Sequence, residues 1–224
     1  YEAVIMADMK SRQRFGGHGN ALAQVYNHII MPLATPRDRN TQIIWGIADF
    51  EKRFNRKPEG MWLAETAVDT ATLELLAQHN ILFTILAPRQ AKAFRKLNDD
   101  QWQTINENQL DTAIPYAYKL PSGRTIALFF YNGQISREVA FNGLLNSGKL
   151  FADRLIAATR DTEQPQLIHI ATDGESYGHH HYRGDMALAS CIDYLKKNKS
   201  VTLTNYGEFL AKFPPQYEIQ IHEN

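Results

Sequence analysis

The sequence is poor in cysteine, balanced in charge and free of long apolar runs. Cys191 is the single cysteine among 224 residues. One thiol cannot close an internal disulfide, so a stapled secreted scaffold is excluded. Lys and Arg number 24 and so do Asp and Glu, giving zero formal charge. That balance leaves no global field for gripping nucleic acid or an acidic membrane surface. No apolar stretch reaches the about 18–20 residues of a membrane span, and no signal peptide opens the chain. Internal repeats, low-complexity tracts and long Gly/Ser linkers are missing as well, which argues against solenoids and strung-out domains. With 44% hydrophobic and 11% aromatic residues, the expectation is a soluble, cytoplasmic protein forming a single domain over residues 1–224. The chain starts at Tyr1 rather than Met, and Tyr217 to Asn224 reads as mid-protein. A fragment is therefore expected.

Short apolar runs alternate with amphipathic stretches. Ile81–Ala87 (ILFTILA), Thr125–Tyr131 (TIALFFY) and Leu167–Thr172 (LIHIAT) are nearly continuous apolar segments of strand length, the pattern of strands buried on both faces. Met61–Ala64 and Val201–Thr204 are shorter strand candidates. Gln42–Phe54 places Ile43, Ile47, Phe50 and Phe54 on one helical face. Asp69 or Thr70 is expected to cap a helix reaching His79, and Asp185 another that turns Leu188, Cys191, Ile192 and Leu195 inward. Ser136–Arg160, interrupted by Gly143 and Gly148, predicts two helical pieces. Lys92–Ile114 is polar and reads as an irregular excursion. Strand–helix alternation implies an α/β fold with a mainly parallel sheet. Five or six strands fall one or two short of a closed barrel.

In parallel barrels, reactive residues sit where strands end and loops begin. Two such places stand out. Glu59-Gly60-Met61-Trp62-Leu63-Ala64-Glu65 delivers a carboxylate three residues after a Trp. Ala171-Thr172-Asp173-Gly174-Glu175, followed by Ser176 to His181, stops an apolar run at acidic residues and then a histidine triplet. Two carboxyls facing each other across a cleft suit glycosidic bond cleavage: one protonates the leaving oxygen while the other attacks the anomeric carbon or activates water. Repulsion and partial burial favour keeping one of them protonated. Trp62 offers a flat face for a sugar ring. Taken singly, Glu65 reads as a rim residue, Trp62 as core and Asp173-Gly174 as a turn. Their combination in one alternating chain points to an enzyme. Gly16-Gly17-His18-Gly19-Asn20 follows no strand and lacks the Lys-Ser/Thr of a phosphate loop. Cys191, on an inward helix face, reads as packing.

At these residues the sequence resembles glycoside hydrolase family 57, retaining enzymes active on α-glucans, and more closely a subgroup of longer bacterial proteins carrying that catalytic domain. Gly19–Leu33 (GNALAQVYNHIIMPL) is similar to the family's second motif, Gly60–Glu65 (GMWLAE) to the third, Ala171–Glu175 (ATDGE) to the fourth and, loosely, Thr204–Leu210 (TNYGEFL) to the fifth. The resemblance implies a (β/α)7-type parallel barrel, incomplete at its N-terminus, and an oligo- or polysaccharide substrate without cofactor or metal. It implies Glu65 as nucleophile and Asp173 as general acid/base. His28 and Trp62 would line the sugar subsite and Glu175 would hold Asp173; the histidine run, unusual for the family, reads from the residues themselves as hydrogen-bonded loop or, at His179 and His181, as substrate contacts. Net retention implies carboxyls about 5–5.5 Å apart. The family's first, His-containing motif has no counterpart and is expected to precede Tyr1. The second motif's Glu is replaced by the stretch Asn20 to Gln24.

Two other readings use the same residues. A metal-dependent hydrolase of the polysaccharide deacetylase kind would take Asp173, His179 and His181 as ligands. A binding barrel without catalysis would present Tyr116, Tyr118, Phe130 and Tyr131 as stacking surfaces.

Overall fold

A computed structural model describes residues 1–223 and forms two compact units, residues 1–130 with 205–223 and residues 131–204. The first unit begins with α1 (Glu2–Arg14), β1 (Ala23–Gln24), α2 (Pro36–Phe54), β2 (Met61–Trp62) and α3 (Thr70–Gln78). It continues through β3 (Phe83–Leu86), β4 (Ala91–Lys96), β5 (Gln103–Thr104), β6 (Tyr116–Lys119) and β7 (Thr125–Phe130). The second unit supplies α4 (Gly133–Phe141), α5 (Gly148–Ile156) and α6 (Gly184–Lys197). The chain then returns to the first with α7 (Tyr206–Lys212) and β8 (Tyr217–Ile221).

The helices start where the sequence provides caps. Thr35 Oγ1 accepts from Asp38 N–H ahead of Pro36, and Asn55 closes α2 in the left-handed conformation. Asp69 accepts from Thr72 N–H and starts α3, as expected. The apolar face of α2 buries Ile43 and Phe50, and α3 buries Leu73 and Leu76. Each such side chain contributes roughly 1.5–3 kcal/mol. Helix α2 passes so close to β1 that a Cβ at Gly46 would stand 2.0 Å from the Gln24 carbonyl oxygen. Only glycine fits there.

Strands β1 and β2 are parallel, Gly60 bridges Phe83 in the parallel sense, and β3 pairs in parallel with β7. A parallel wall thus follows the chain through two strand–helix–strand units. Beyond β7 the six-stranded sheet, in the order β3-β7-β6-β8-β4-β5, is mixed. Pairings β6–β7, β4–β8 and β4–β5 are antiparallel, and β6–β8 is parallel.

Several sequence expectations are corrected here. Residues 91–104 are not merely irregular, because they contain β4 and β5. Leu167–Thr172 is extended but joins no ladder; the Asn132 N–H donates to the His169 carbonyl and the Ala171 N–H to Ser136 Oγ. Val201–Thr204 also forms no strand. Asp185 lies inside the first turn of α6 and does not cap it; Arg183, at φ 59°, holds the cap position without a side-chain bond. Tyr116 and Phe130 are core residues, 1% and 0% exposed, so they offer no stacking face. Other expectations hold. The stretch after Ser136 does split into two helices around a 3-10 turn at Leu144–Asn146. Cys191 is buried with Ile135, Val139, Leu145 and Phe151, and burial pushes its thiol up to about 11.

One buried ion pair ties α1 to the strand layer. Arg56 Nε and Nη2 each donate to Asp8 at 2.9 Å, and Nη2 also reaches the Ala21 carbonyl at 2.9 Å. The Ala21 N–H donates to Asp8 Oδ1 at 2.8 Å. Burial alone would raise the Asp8 carboxyl; the Arg56 and Ala21 hydrogen bonds outweigh it and hold it below its ordinary 3.8. Arg56→Met leaves a buried carboxylate without its cation and is expected to cost about 3–5 kcal/mol, read by chemical denaturation. The sign of the pH dependence follows from the lowered value. Asp8's stabilisation is present above the unfolded carboxylate range and is lost as pH falls below 3.8 through the folded value. In the Arg56→Met variant that acid-range slope is expected to shrink.

Candidate active site

His28 and Glu65 come together because they follow adjacent parallel strands. Strand β1 ends at Gln24 and His28 lies four residues on; β2 ends at Trp62 and Glu65 lies three residues on. Both loops leave the carboxyl ends of the pair, where barrel enzymes carry their chemistry. His28 Nε2 stands 3.6 Å from Glu65 Oε1, and the two side chains are 66% and 76% exposed. Trp62 is half-buried beside this loop in sequence.

The backbone here is unusual. His28 has φ 47°, Glu65 55° and Thr66 57°, all left-handed. That conformation costs an ordinary L-residue roughly 1–2 kcal/mol, and a β-branched Thr is among the least suited to it. Backbone of this kind persists where surrounding contacts over-determine it, and it clusters at functional sites. The contacts are visible. Thr66 N–H donates to the Leu63 carbonyl and Ala67 N–H to that of Ala64. Thr84 Oγ1, fully buried, donates to the Met61 carbonyl at 2.8 Å.

Arg39, which sequence reasoning passed over, secures the His28 side. Its guanidinium donates to the Pro32 carbonyl at 2.7 Å, the Ala34 carbonyl at 3.1 Å and Asp69 at 2.6 Å. Burial works to raise Asp69, and hydrogen bonds from Thr72 together with Arg39 bring it below the usual range. Nothing in the sequence separates Arg39 from the other charges of α2. At the opposite, amino ends of the strands, the glycine-rich segment serves a structural pair: His18 Nδ1 lies 2.6 Å from Glu59 Oε1.

In the second unit, Asp173 follows the extended segment and precedes a 3-10 turn at Gly174–Tyr177. Its side chain caps nothing and the residue is exposed. Thr172 Oγ1 and the Tyr177 hydroxyl close the turn at 2.8 Å. Glu175 is also exposed; its ion-pair partner is His180, at 3.8 Å, rather than a group that would hold Asp173. His179 is exposed, its ring 4.9 Å from that of His180. His181 Nε2 donates to the Ala140 carbonyl at 2.8 Å, which turns that nitrogen to α4. Among the described residues no three His, Cys, Asp or Glu side chains gather where they could hold a metal ion. Asp173, His179 and His181 therefore do not assemble as a ligand set. The partial burial expected of the two carboxyls is not found either: Glu65 and Asp173 are both exposed.

An α/β fold of the (β/α)7-barrel type, carrying Glu65 beyond the carboxyl end of a parallel strand, defines the class. The family model described as Glycosyl hydrolase family 57 matches residues 17–222, and the chain belongs to that family. Among solved structures it is similar to a 4-α-glucanotransferase from Thermococcus litoralis, with 17% identity and a TM-score of 0.72, covering 96% of this chain and 32% of that one. It is similar to a family 57-type branching enzyme from Pyrococcus horikoshii, with 17% identity and a TM-score of 0.73, covering 96% and 49%. An α-amylase from Thermotoga maritima matches with 14% identity and a TM-score of 0.72, covering 96% and 53%. The chain thus spans about a third to a half of the length of these structures. Among curated protein sequences none matches it.

Proposed function

We propose that this chain carries the catalytic centre of a retaining glycoside hydrolase or glucan transferase acting on α-linked glucans. The observation that supports this most is Glu65, exposed on a left-handed turn beyond β2 and facing His28 at 3.6 Å. Glu65 attacks the anomeric carbon and forms a glycosyl-enzyme ester, while Asp173 protonates the departing glycosidic oxygen. Asp173 then takes a proton from water or from a sugar hydroxyl, which displaces Glu65. Hydrolysis and transfer share the first half of this sequence and differ only in the acceptor. Trp62 and His28 bind the sugar, and Glu175, His179 and His181 contact substrate around Asp173. Both units belong in this reading to one barrel domain, as the family match across residues 17–222 suggests.

Retention is directly measurable. Proton NMR of the full-length protein acting on a maltooligosaccharide is expected to show α-configured product first, with the β-anomer arising only by mutarotation. Initial β-product would sink the covalent route and leave Glu65 without its role.

A further inference from the structure

Gln90 is a buried amide that none of the chemistry above uses. It is 1% exposed and closes the 3-10 turn Pro88–Gln90 immediately after β3. Its Nε2 donates to the Thr66 carbonyl at 2.8 Å, and its Oε1 accepts from Ala87 N–H at 2.8 Å. Its own backbone is fixed as well: Gln90 N–H donates to the Ala87 carbonyl at 3.0 Å, and the Gln90 carbonyl accepts from His222 N–H at 2.8 Å. The amide is therefore a rigid post, anchored through side chain and main chain.

What the post holds is the peptide unit that joins Thr66 to Ala67. The N–H of that unit donates to the Ala64 carbonyl at 3.0 Å, and its carbonyl accepts from Gln90. Ala64 lies immediately before Glu65, and the clamped peptide begins one residue after it. Glu65 is thus pinned on both flanks while its own side chain stands in solvent. Two consecutive left-handed residues, one of them β-branched, would otherwise relax toward ordinary backbone and swing the carboxylate elsewhere. With no buried side-chain partner, and with only the exposed His28 at 3.6 Å, the carboxylate depends for its direction on the backbone that carries it.

We propose that Gln90 is a positioning residue for the Glu65 nucleophile: by holding the Thr66 carbonyl it keeps the left-handed turn that aims the carboxylate. This rests on Glu65 being the nucleophile. Gln90→Met keeps the volume and removes the donor to the Thr66 carbonyl, adding neither a charge nor a carboxyl proton that could replace it. A misplacement of about 1 Å at a reacting group costs on the order of a hundredfold in rate. The expected result is a kcat lowered by about 10- to 100-fold with KM changed less than about threefold.

The test reads the ester itself. The full-length protein is incubated with a glucosyl fluoride carrying a second fluorine at ring carbon five, and mass spectrometry follows formation of the Glu65 adduct. Wild type labelled at Glu65, with Gln90→Met labelled at least tenfold more slowly and maltotriose affinity unchanged, supports the proposal. Equal labelling rates in folded wild type and Gln90→Met overturn it. Wild type labelled at a different carboxylate overturns the nucleophile reading itself, and the proposal with it. If Gln90→Met does not fold, Gln90→Leu, which also removes the donor without adding charge, carries the same comparison.

Discussion

Glu65→Gln in the full-length protein is expected to lower kcat/KM by on the order of ten-thousandfold while leaving the fold intact. Glutamine keeps the shape and the unbranched Cβ that the left-handed backbone at φ 55° tolerates. It removes the charged oxygen that forms the ester. With 76% of the side chain exposed, the exchange is expected to change stability by no more than about 0.5 kcal/mol. Loss of activity with an unchanged melting temperature therefore reads as loss of chemistry. In Glu65→Ala, where truncation opens the space of the carboxylate, added azide is expected to restore turnover and release a β-glycosyl azide. Activity within tenfold of wild type, without azide, would remove Glu65 from the mechanism.

Asp173→Asn is expected to lower turnover of a glucan by about a hundredfold to ten-thousandfold, the usual share of a positioned proton donor. The discriminating feature is the leaving group. Expelling a sugar hydroxyl needs a proton, whereas fluoride or a nitrophenolate leaves without one. The loss in Asp173→Asn is thus expected to be much smaller for formation of the glycosyl-enzyme from an activated fluoride than from maltooligosaccharide. Glu65→Gln shows no such difference, because every substrate needs the nucleophile. An equal loss on both substrates would contradict the acid/base role.

Much of the fold was legible because local signals and tertiary packing agree. Strand β3 lies inside ILFTILA and β7 inside TIALFFY; both bury nearly every residue, so a continuous apolar run is the right signature. Helices α2 and α3 each carry one apolar stripe, and Asp69 caps α3 as expected, whereas α2 starts at Pro36 behind the cap Thr35, ahead of the expected Gln42. Leu167–Thr172 misled because apolar composition reports burial, not pairing. Leu167 and His169 are buried and their neighbours half-buried, yet no ladder forms. Strand β4 escaped notice because Lys92, Arg95 and Lys96 give it a polar look. Those cations are partly answered from the facing strand, where Arg95 meets Glu218 at 2.8 Å. Such compensation is non-local and leaves no mark on the sequence around β4.

The candidate site was legible in its residue types and not in its supports. Trp62 and Glu65 follow a strand pattern that any reader of periodicity would mark. Nothing local announces that Glu65 and Thr66 are left-handed, since neither is Gly or Asn. The partner that stabilises this turn, Gln90, is 24 residues away. Histidine triplets advertise ligands, yet His181 is engaged by a helix carbonyl 41 residues distant.

The division of the chain into two compact units has an experimental consequence. Glu65 rests on the core of Leu63, Leu73, Leu86 and Leu128, and Asp173 belongs to the unit packed around Ile135, Phe151 and Cys191. Cooperative units of this kind open with their own free energies. The proposed nucleophile and the proposed proton donor are then expected to have separate thermal lifetimes. During slow heating, amide exchange around Asp173 and around Glu65 need not advance together. If the core around Asp173 loosens first, ester formation on an activated fluoride is expected to outlast cleavage of a true glucan; if the core around Glu65 loosens first, both are expected to be lost together.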